Sequence, residues 1–297
     1  MADILVGTCS WTDATLIRSG RFYPAWAKSA EARLQFYASQ FPLVEVDSSY
    51  YSLPAEATSK LWVQRTPPKF VFDVKAFRLF TQHPTPPKAL PKDIQEALPA
   101  QVKGKSNLYL RDIPLELARE LWRRFEQALL PLDSAGRLGV VLFQFPPWFQ
   151  PSWDNRQYIA RLKEFLPQYR IAVEFRAASW LEEKRQEDVF SLLRDNNYPF
   201  VCVDEPQGFK SSVPPVIKAT SGIALVRFHG RNRDMWERKG IGPAERFNYL
   251  YSEDELREWV PRIRELAAQT QQLHVLFNNC HQDKAVVNGR QIRFMID

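Results

Sequence analysis

The chain has 297 residues, of which 45% are hydrophobic, 13% aromatic and 25% charged, and its formal net charge is +6. A chain of this length and apolar content buries a large core, which excludes the disordered and fibrous classes. No apolar run reaches the roughly 20 residues that span a bilayer, and the amino terminus lacks the zones of a secretion signal, so we expect a cytoplasmic protein with no membrane partner.

Eight short apolar runs recur along the chain, and most of them end in polar residues. After the first run, residues 11–26 are too irregular for a helix and predict a long loop. A helix is expected at 29–40 with Ser29 as its N-cap, and another begins at Pro54. The eight runs, which we interpret as strands, span 4–11, 43–51, 70–76, 139–147, 171–180, 200–206, 224–231 and 273–280.

An insertion at 77–137, rich in Pro and Lys, separates the third and fourth runs. It ends in an amphipathic helix expected at about 114–130. Such an excursion is typical of a functional loop or lid, although it can also pad one side of a fold. Later helices are expected near 153–166, near 182–196 and after Ser252, whereas 206–222 has little helical signal.

The alternation of apolar runs and helical patterns indicates parallel strands joined by crossover helices. Both faces of most runs are apolar, and eight of them favour closure into a single (β/α)8 TIM barrel, an α/β fold, over an open sheet. No linker marks a domain boundary, so residues 1–297 are expected to form one domain. A doubly wound sheet is the alternative.

Alternation within the runs predicts which side chains meet inside the barrel. In the fifth run Ala172, Glu174 and Arg176 share one face, while Ile171 and Val173 lie on the other. If the barrel closes, the polar members of six further runs point inward near the carboxyl-terminal mouth, where barrel enzymes place their chemistry. The residues expected there are Glu45, Asp47, Asp73, Lys75, Gln144, Glu174, Arg176, Asp204, Arg227, His229 and Asn278.

These charges have two interpretations. In the first, Glu45, Lys75, Glu174, Arg176, Asp204 and Arg227 neutralise one another and plug the top of the barrel. In the second they form a site, in which arginine and lysine hold an anion while a carboxylate and a histidine move a proton. The expected catalytic residues are then Glu174, Asp204 and His229, and the expected substrate-binding residues are Glu45, Lys75, Gln144, Arg176, Arg227, Arg231 and Asn278.

The stretch 229–240 is the most basic part of the chain. Arg231, Arg233, Arg238 and Lys239 surround Trp236, which is expected to be exposed. Such a pairing can contact phosphates and stack on a base or sugar, but a solvated loop has the same composition.

No metal or other cofactor is indicated, although Glu174, Asp204 and His229 would suit a single Mg²⁺ or Mn²⁺ if they converged. Among the remaining histidines, His274 is expected to be packed or solvated at the start of its strand. The three cysteines are far apart in sequence and predict free thiols.

Several motifs together resemble the YecE-like family of unknown function. They are GTCSW (7–11), FYP (22–24), VEVDSSYY (44–51), QFPPWF (144–149), VEFRAASW (173–180), RFHGR (227–231) and FNN (277–279). The resemblance implies a TIM barrel and supplies no assigned activity. That fold is similar to endonuclease IV and sugar-isomerase barrels, but this chain lacks the histidines of a trinuclear zinc centre.

Three functions follow as hypotheses. The first is binding or processing of a phosphate-containing ligand, possibly nucleic acid, at the barrel mouth, as by a phosphoric-ester hydrolase. The second is a small-molecule, sugar-active enzyme of the carbohydrate isomerase, epimerase or hydrolase type. The third is a non-catalytic interaction protein. The sequence leaves the oligomeric state open.

Overall fold

Eight parallel strands form the centre of the molecule, as the sequence predicts. The computed structural model describes residues 2–296. The strands are β1 (Asp3–Thr8), β2 (Leu43–Val46), β3 (Val71–Lys75), β4 (Leu138–Gln144), β5 (Ile171–Glu174), β6 (Val201–Asp204), β7 (Ile223–Phe228) and β8 (Gln272–Phe277). The predicted (β/α)8 barrel is confirmed.

Each strand pairs with the next one in the chain, except that β5 and β6 form no ladder, and β1 also pairs with β8. The barrel closes loosely between β5 and β6, where one parallel bridge joins Val173 to Phe200. All eight carboxyl ends therefore meet at one mouth, which brings residues from distant parts of the chain together.

Helices surround the barrel and connect its strands. They are α1 (Ala14–Ser19), α2 (Ala30–Gln40), α3 (Ser48–Tyr51), α4 (Glu56–Gln64), α5 (Lys92–Ala97), α6 (Ala100–Lys103), α7 (Leu115–Ser134), α8 (Trp153–Ala160), α9 (Leu162–Phe165), α10 (Glu183–Asp195), α11 (Arg233–Trp236), α12 (Pro243–Arg246), α13 (Glu253–Arg257), α14 (Val260–Gln269) and α15 (Lys284–Ile296). Within 2–296, no helix is both long and apolar enough to cross a membrane.

Helix ends follow the local sequence. Ser29 caps α2 by accepting from the Ala32 N–H, and Ser252 with Glu255 forms the predicted capping box of α13. The prediction of a plain loop at 11–26 is wrong, because α1 lies within it. The Asp13 carboxylate accepts from the first N–H groups of that short helix.

Helix α7 is the long amphipathic helix that the sequence predicts, and it continues four residues past the expected end. Its buried stripe includes Leu121, Phe125 and Leu129. It packs against α4 and β4, the position of a crossover helix between β3 and β4. The part of the excursion that adds surface to the barrel therefore runs from residue 76 to 114.

The barrel interior changes from apolar to polar along its axis. Leu5, Leu43 and Leu276 pack together inside it. Asp73 is inside too, but it lies two residues deeper along β3 than Lys75 and hydrogen-bonds His274 Nδ1 at 2.8 Å. The expectation that Asp73 reaches the mouth is wrong, and His274 is packed inside the barrel, fully buried.

Candidate functional site

Arg227 lies at the centre of the polar interior and is fully buried. Its Nε and Nη2 donate to the two oxygens of Glu45 at 2.9 and 2.7 Å, and its Nη1 donates to Glu174. Both glutamates are also fully buried. One guanidinium thus bridges β2 and β5 from β7, through the two-point geometry that favours arginine over lysine.

The central arginine decides the charge of its partners. Burial alone would raise the pKa of Glu174, but Arg227 and His229 outweigh it and hold that pKa well below its ordinary value. Burial raises the pKa of Glu45 to about 6, although Arg227 and Lys75 oppose the shift. Glu174 is therefore an ionised carboxylate at neutral pH and can only accept hydrogen bonds.

Two polar side chains contact Glu174 on its other sides, and a third contacts one of these two. Gln144 Nε2 donates to Glu174 Oε1 at 2.6 Å, and His229 Nε2 lies 3.0 Å from the same oxygen. Asn278 Nδ2 lies 2.9 Å from Nδ1 of His229. Burial lowers the pKa of His229 to about 3, against the attraction of Glu174, so the ring is neutral at physiological pH.

Arg176 extends the network toward β6. Its Nη1 lies 3.4 Å from Glu174 and 2.9 Å from Glu205. Burial raises the pKa of Glu205 to about 8, outweighing Arg176. The Arg176 guanidinium also stacks on the Trp236 ring at 4.6 Å. Trp236 is only 3% exposed, so the expectation of an exposed aromatic in 229–240 is wrong.

Asp204 does not join this network, and its predicted inward orientation is wrong. It pairs in register with Phe228, which packs against Trp259 in the helix layer. Its carboxylate accepts from Trp259 Nε1 at 2.7 Å and from the Tyr251 hydroxyl at 2.7 Å. Glu205, the next residue, takes the inward position instead.

Arg231 belongs to this second cluster. It donates to Asp204 at 2.8 Å and to Glu258 at 2.9 Å, with a longer contact to Glu255 at 3.5 Å. Three carboxylates thus share one guanidinium that was expected to bind substrate. The geometry separates Asp204 and Arg231 from Glu174, His229 and the rest of the predicted site.

Lys75 lies above the central network and pairs with Asp47, not with the glutamates. Its Nζ is 3.0 Å from Asp47 Oδ1 and 4.6 Å from the centre of the Tyr50 ring. Burial alone would lower the pKa of Lys75, but the Asp47 carboxylate outweighs it and raises that pKa above its ordinary value. The pair is partly open to solvent, unlike Glu174 and Arg227.

A cavity of about 500 Å³ opens at the mouth above these groups. Glu174, Arg227 and His229 lie beneath its floor and do not line it. The predicted substrate-binding residues that do reach it are Lys75, Gln144 and Asn278, and Asp47, also expected at the mouth, reaches it too. Its full lining is Cys9, Ser10, Thr12, Asp13, Ala14, Asp47, Ser48, Tyr50, Tyr51, Lys75, Gln144, Pro243, Ala244, Phe247, Asn278 and Cys280.

A second cavity, of about 200 Å³, lies at the opposite end of the barrel. It is lined by residues such as Arg170, Gly222 and Gln272, which precede or begin their strands. None of the predicted site residues is among them. A cavity of about 280 Å³ beside the second cluster includes Asp204 and Arg231 in its lining. The mouth cavity is larger and includes three of the predicted site residues, so it is the candidate functional site.

The two cysteines in the mouth cavity are poor nucleophiles. Both are free thiols, as is Cys202, and this confirms the prediction from their spacing. Burial raises the pKa of Cys9 well above its ordinary value, and Glu45 adds to the effect. Burial likewise raises the pKa of Cys280. The reactive thiolate form is therefore suppressed at both positions.

The three candidate metal ligands do not converge. Glu174 and His229 contact each other, whereas Asp204 faces the helix layer. Throughout the part of the chain that the structure describes, no group of three or more His, Cys, Asp or Glu side chains is arranged to hold a metal ion.

Several residues at the site were not singled out from the sequence. Glu205 is the inward acid just after β6, and Phe247 comes from a segment with no strand pattern. Asp47 was expected to face inward but was not assigned a role. Its position two residues after Glu45 in the run 43–51 was the available signal.

Comparison with known proteins gives consistent results. Residues 5–297 match the model of the family described as protein of unknown function DUF72. The chain is 33% identical to the UPF0759 protein YunF of Bacillus subtilis, over 99% of this chain and 95% of that protein.

Crystal structures of two proteins described as DUF72 family members are also similar to this one. One, from Thermotoga maritima, is 30% identical with a TM-score of 0.74, covering 99% of both chains. Another, from Enterococcus faecalis, is 22% identical with a TM-score of 0.76, covering 100% of this chain and 98% of that one.

Proposed function

The chain belongs to the DUF72 family of proteins of unknown function, and from that premise we propose that its mouth cavity binds a small, hydroxyl-rich molecule of the sugar or polyol class. The observation that carries this proposal is the direction of the hydrogen bonds beneath the cavity floor. The side-chain amides of Gln144 and Asn278 form this floor, and the bonds determine whether the NH₂ group or the carbonyl oxygen of each amide faces a ligand.

The first floor amide belongs to Gln144. Because Glu174 is ionised and can only accept, the Gln144 amide must turn its NH₂ group toward it. The Gln144 carbonyl oxygen is then the end that is left for the cavity, which Gln144 lines.

The second floor amide belongs to Asn278. His229 is neutral, and its Nε2 faces the ionised Glu174, so Nε2 must carry the ring proton. Nδ1 is then an acceptor, and Asn278 must turn its NH₂ group toward it. The carbonyl oxygen of Asn278 is therefore also left for the cavity.

The cavity surface consequently favours ligands that donate hydrogen bonds. Two amide oxygens join the carboxylates of Asp13 and Asp47, while Tyr50, Tyr51 and Phe247 supply aromatic walls. Small-molecule sites typically combine such apolar walls with a few convergent polar groups. A sugar or polyol offers several hydroxyl donors together with apolar C–H faces, and it fits this set.

A phosphate-bearing ligand has less support. Arg227 and Arg231 are held by carboxylates, and Arg176 by two glutamates and an indole. Lys75 is the one cationic residue in the lining of the mouth cavity among residues 2–296. Phosphate and nucleic-acid binding remain untested predictions.

The pair Asp47–Lys75 is the candidate for proton transfer. Both groups line the cavity, so Asp47 can accept a proton from a bound hydroxyl while the Lys75 ammonium stabilises negative charge on oxygen. This suits a sugar-active enzyme of the isomerase, epimerase or hydrolase type. Glu174 and His229 then act as positioning residues that orient Gln144 and Asn278.

A ligand screen tests the proposal. Aldoses, ketoses, polyols and their phosphate esters are compared by thermal shift, since a ligand at 100 times its Kd stabilises the fold by about 2.7 kcal/mol. We expect a neutral sugar or polyol to raise the Tm of the wild type and of Asp154→Asn, an exposed control, but not of Asp47→Asn. Stabilisation by phosphate esters alone, with none from their neutral counterparts, would refute the proposal.

A further inference from the structure

A row of four aromatic rings leads from the mouth cavity out across the surface. Tyr51 and Tyr50 have ring centres 5.0 Å apart, Tyr50 and His83 5.2 Å, and His83 and Trp148 5.8 Å. Tyr50 and Tyr51 line the cavity, whereas His83 and Trp148 lie beyond it. The row therefore continues the cavity toward β4.

Three separate segments build this row. Tyr50 and Tyr51 end α3, His83 belongs to the excursion after β3, and Trp148 follows β4. Trp148 Nε1 donates to the Gln82 carbonyl at 3.2 Å, and His83 Nδ1 shares a hydrogen bond with the Thr81 hydroxyl at 2.8 Å. These bonds fix the outer half of the row.

The backbone beside His83 is strained. Gln82 has φ +61°, a left-handed conformation that is unfavourable for a non-glycine residue. The Tyr158 hydroxyl anchors this turn by donating to the Phe80 carbonyl at 2.6 Å. Strain of this kind persists where surrounding contacts fix it, and it clusters at binding sites.

The two ends of the row are open to solvent, and Tyr50 and His83 between them are half-buried. Trp148 is 56% exposed and Tyr51 45% exposed. Burial lowers the pKa of His83 to about 3, with Lys75 and Arg78 adding to the shift, so its ring is uncharged at neutral pH. A series of uncharged rings that reaches solvent at both ends is suited to the apolar faces of a ligand.

We propose, building on the function proposed above, that the cavity holds the end of a longer saccharide and that the aromatic row binds its following units. The cavity favours hydroxyl donors, and the row supplies aromatic faces and edges on which successive sugar rings pack. Arg78, whose guanidinium lies 5.2 Å from the Tyr50 ring centre, adds donors for hydroxyl and ring oxygens.

A single-stranded nucleic acid fits less well. Its affinity depends mainly on lysine and arginine contacts to phosphates. Of the cations that act on His83, Arg78 lies against Tyr50, Lys75 is paired with Asp47 inside the cavity, and Arg176 is paired with glutamates.

The test is binding of glucan, xylan and chitin fragments of one to six units, measured by glycan array and then by calorimetry. We expect the wild type to bind a fragment of three or more units at least tenfold more tightly than the monosaccharide. Trp148→Ala should bring that ratio close to one, whereas Trp153→Ala, a 73% exposed residue outside the row, should preserve it.

The other outcomes separate this inference from the proposed function. Monosaccharide binding with no gain from chain length would overturn the longer saccharide and leave the small hydroxyl-rich ligand standing. Absence of binding across the whole array would count against both. Salt-sensitive binding of an oligothymidylate that Trp148→Ala abolishes would replace the saccharide with nucleic acid.

Discussion

Glu174→Gln is the substitution that most directly removes the charge at the centre of the site. It keeps the volume of the side chain, so it opens no cavity. Glu174 accepts from Arg227, from Gln144 at 2.6 Å and from His229 at 3.0 Å, and all of these contacts lie out of solvent or nearly so. After the change, Arg227 retains only Glu45 as a carboxylate partner.

The size of the expected loss of stability follows from the burial of Glu174 and Arg227. Removing one partner of a buried ion pair costs about 3–5 kcal/mol, because the remaining charge is left uncompensated in a poorly solvated site. Arg227 and Glu174 are both 0% exposed, so this range applies without a discount for solvent. For a domain of this size about 2 °C of Tm corresponds to 1 kcal/mol, which predicts a fall of about 6–10 °C.

Urea and thermal unfolding at pH 7 measure the effect, with Glu116→Gln as the matched control. Glu116 pairs with Arg119 at 3.3 Å, but these side chains are 80% and 67% exposed. Exposed pairs contribute about 0–1 kcal/mol, so the control should barely move. The reasoning is refuted if the two variants differ by less than about 1 kcal/mol.

Three further predictions concern neighbouring features. Glu205→Gln removes a carboxyl group whose pKa rises from 4.5 to about 8 on folding. The folded state therefore binds the Glu205 proton more tightly than the unfolded state does. The stability that this proton contributes is complete below pH 4.5 and is lost as the pH rises through 8. Between pH 5 and 8 the wild type should therefore lose stability relative to the variant, by at most about 1.4 kcal/mol per pH unit, and parallel urea-unfolding curves would contradict this. Gly139→Ala should lower the free energy of unfolding by about 1–3 kcal/mol, since the new Cβ would lie 2.3 Å from Asp73 Oδ1 and 2.8 Å from His274 Cε1. The control is Gly104→Ala, whose Cβ would have nothing within 4 Å. Equal stability of the two variants would be the contrary result. Trp236→Ala should speed amide hydrogen exchange in residues 230–248, because it removes the contact between this segment and Arg176. The exposed control Trp153→Ala should leave exchange in that segment unchanged. Equal protection of the segment in both variants would argue against the contact.

The sequence predicted the barrel and much of its polar interior because alternation within strands is a local property. Glu174 and Arg227 face inward as expected, since each follows apolar residues of clear parity. The parity failed at β6, where Cys202 and Val203 are both apolar and give no sign of which face is inside. Asp204 was consequently expected to face inward, whereas Glu205 takes that position.

Pairings between strands could not be read from the sequence. Lys75 had several carboxylates within the predicted mouth, and only the packed barrel shows that Asp47 is the one it reaches. Trp236 was expected to be exposed because its stretch is basic, yet it covers Arg176, which lies 60 positions earlier in the chain. Contacts of this kind depend on how loops close over the mouth, and local composition does not encode that.

The proton position on His229 tests the central claim most directly, because it determines which atoms of Gln144 and Asn278 face the cavity. Nitrogen-15 NMR of histidine-labelled protein, with His229→Gln to assign the signals among the four histidines, reports both ring nitrogens. The hydrogen-bond directions predict a neutral ring with the proton on Nε2 from pH 5 to 8. A proton on Nδ1, or a charged ring in that range, would contradict them.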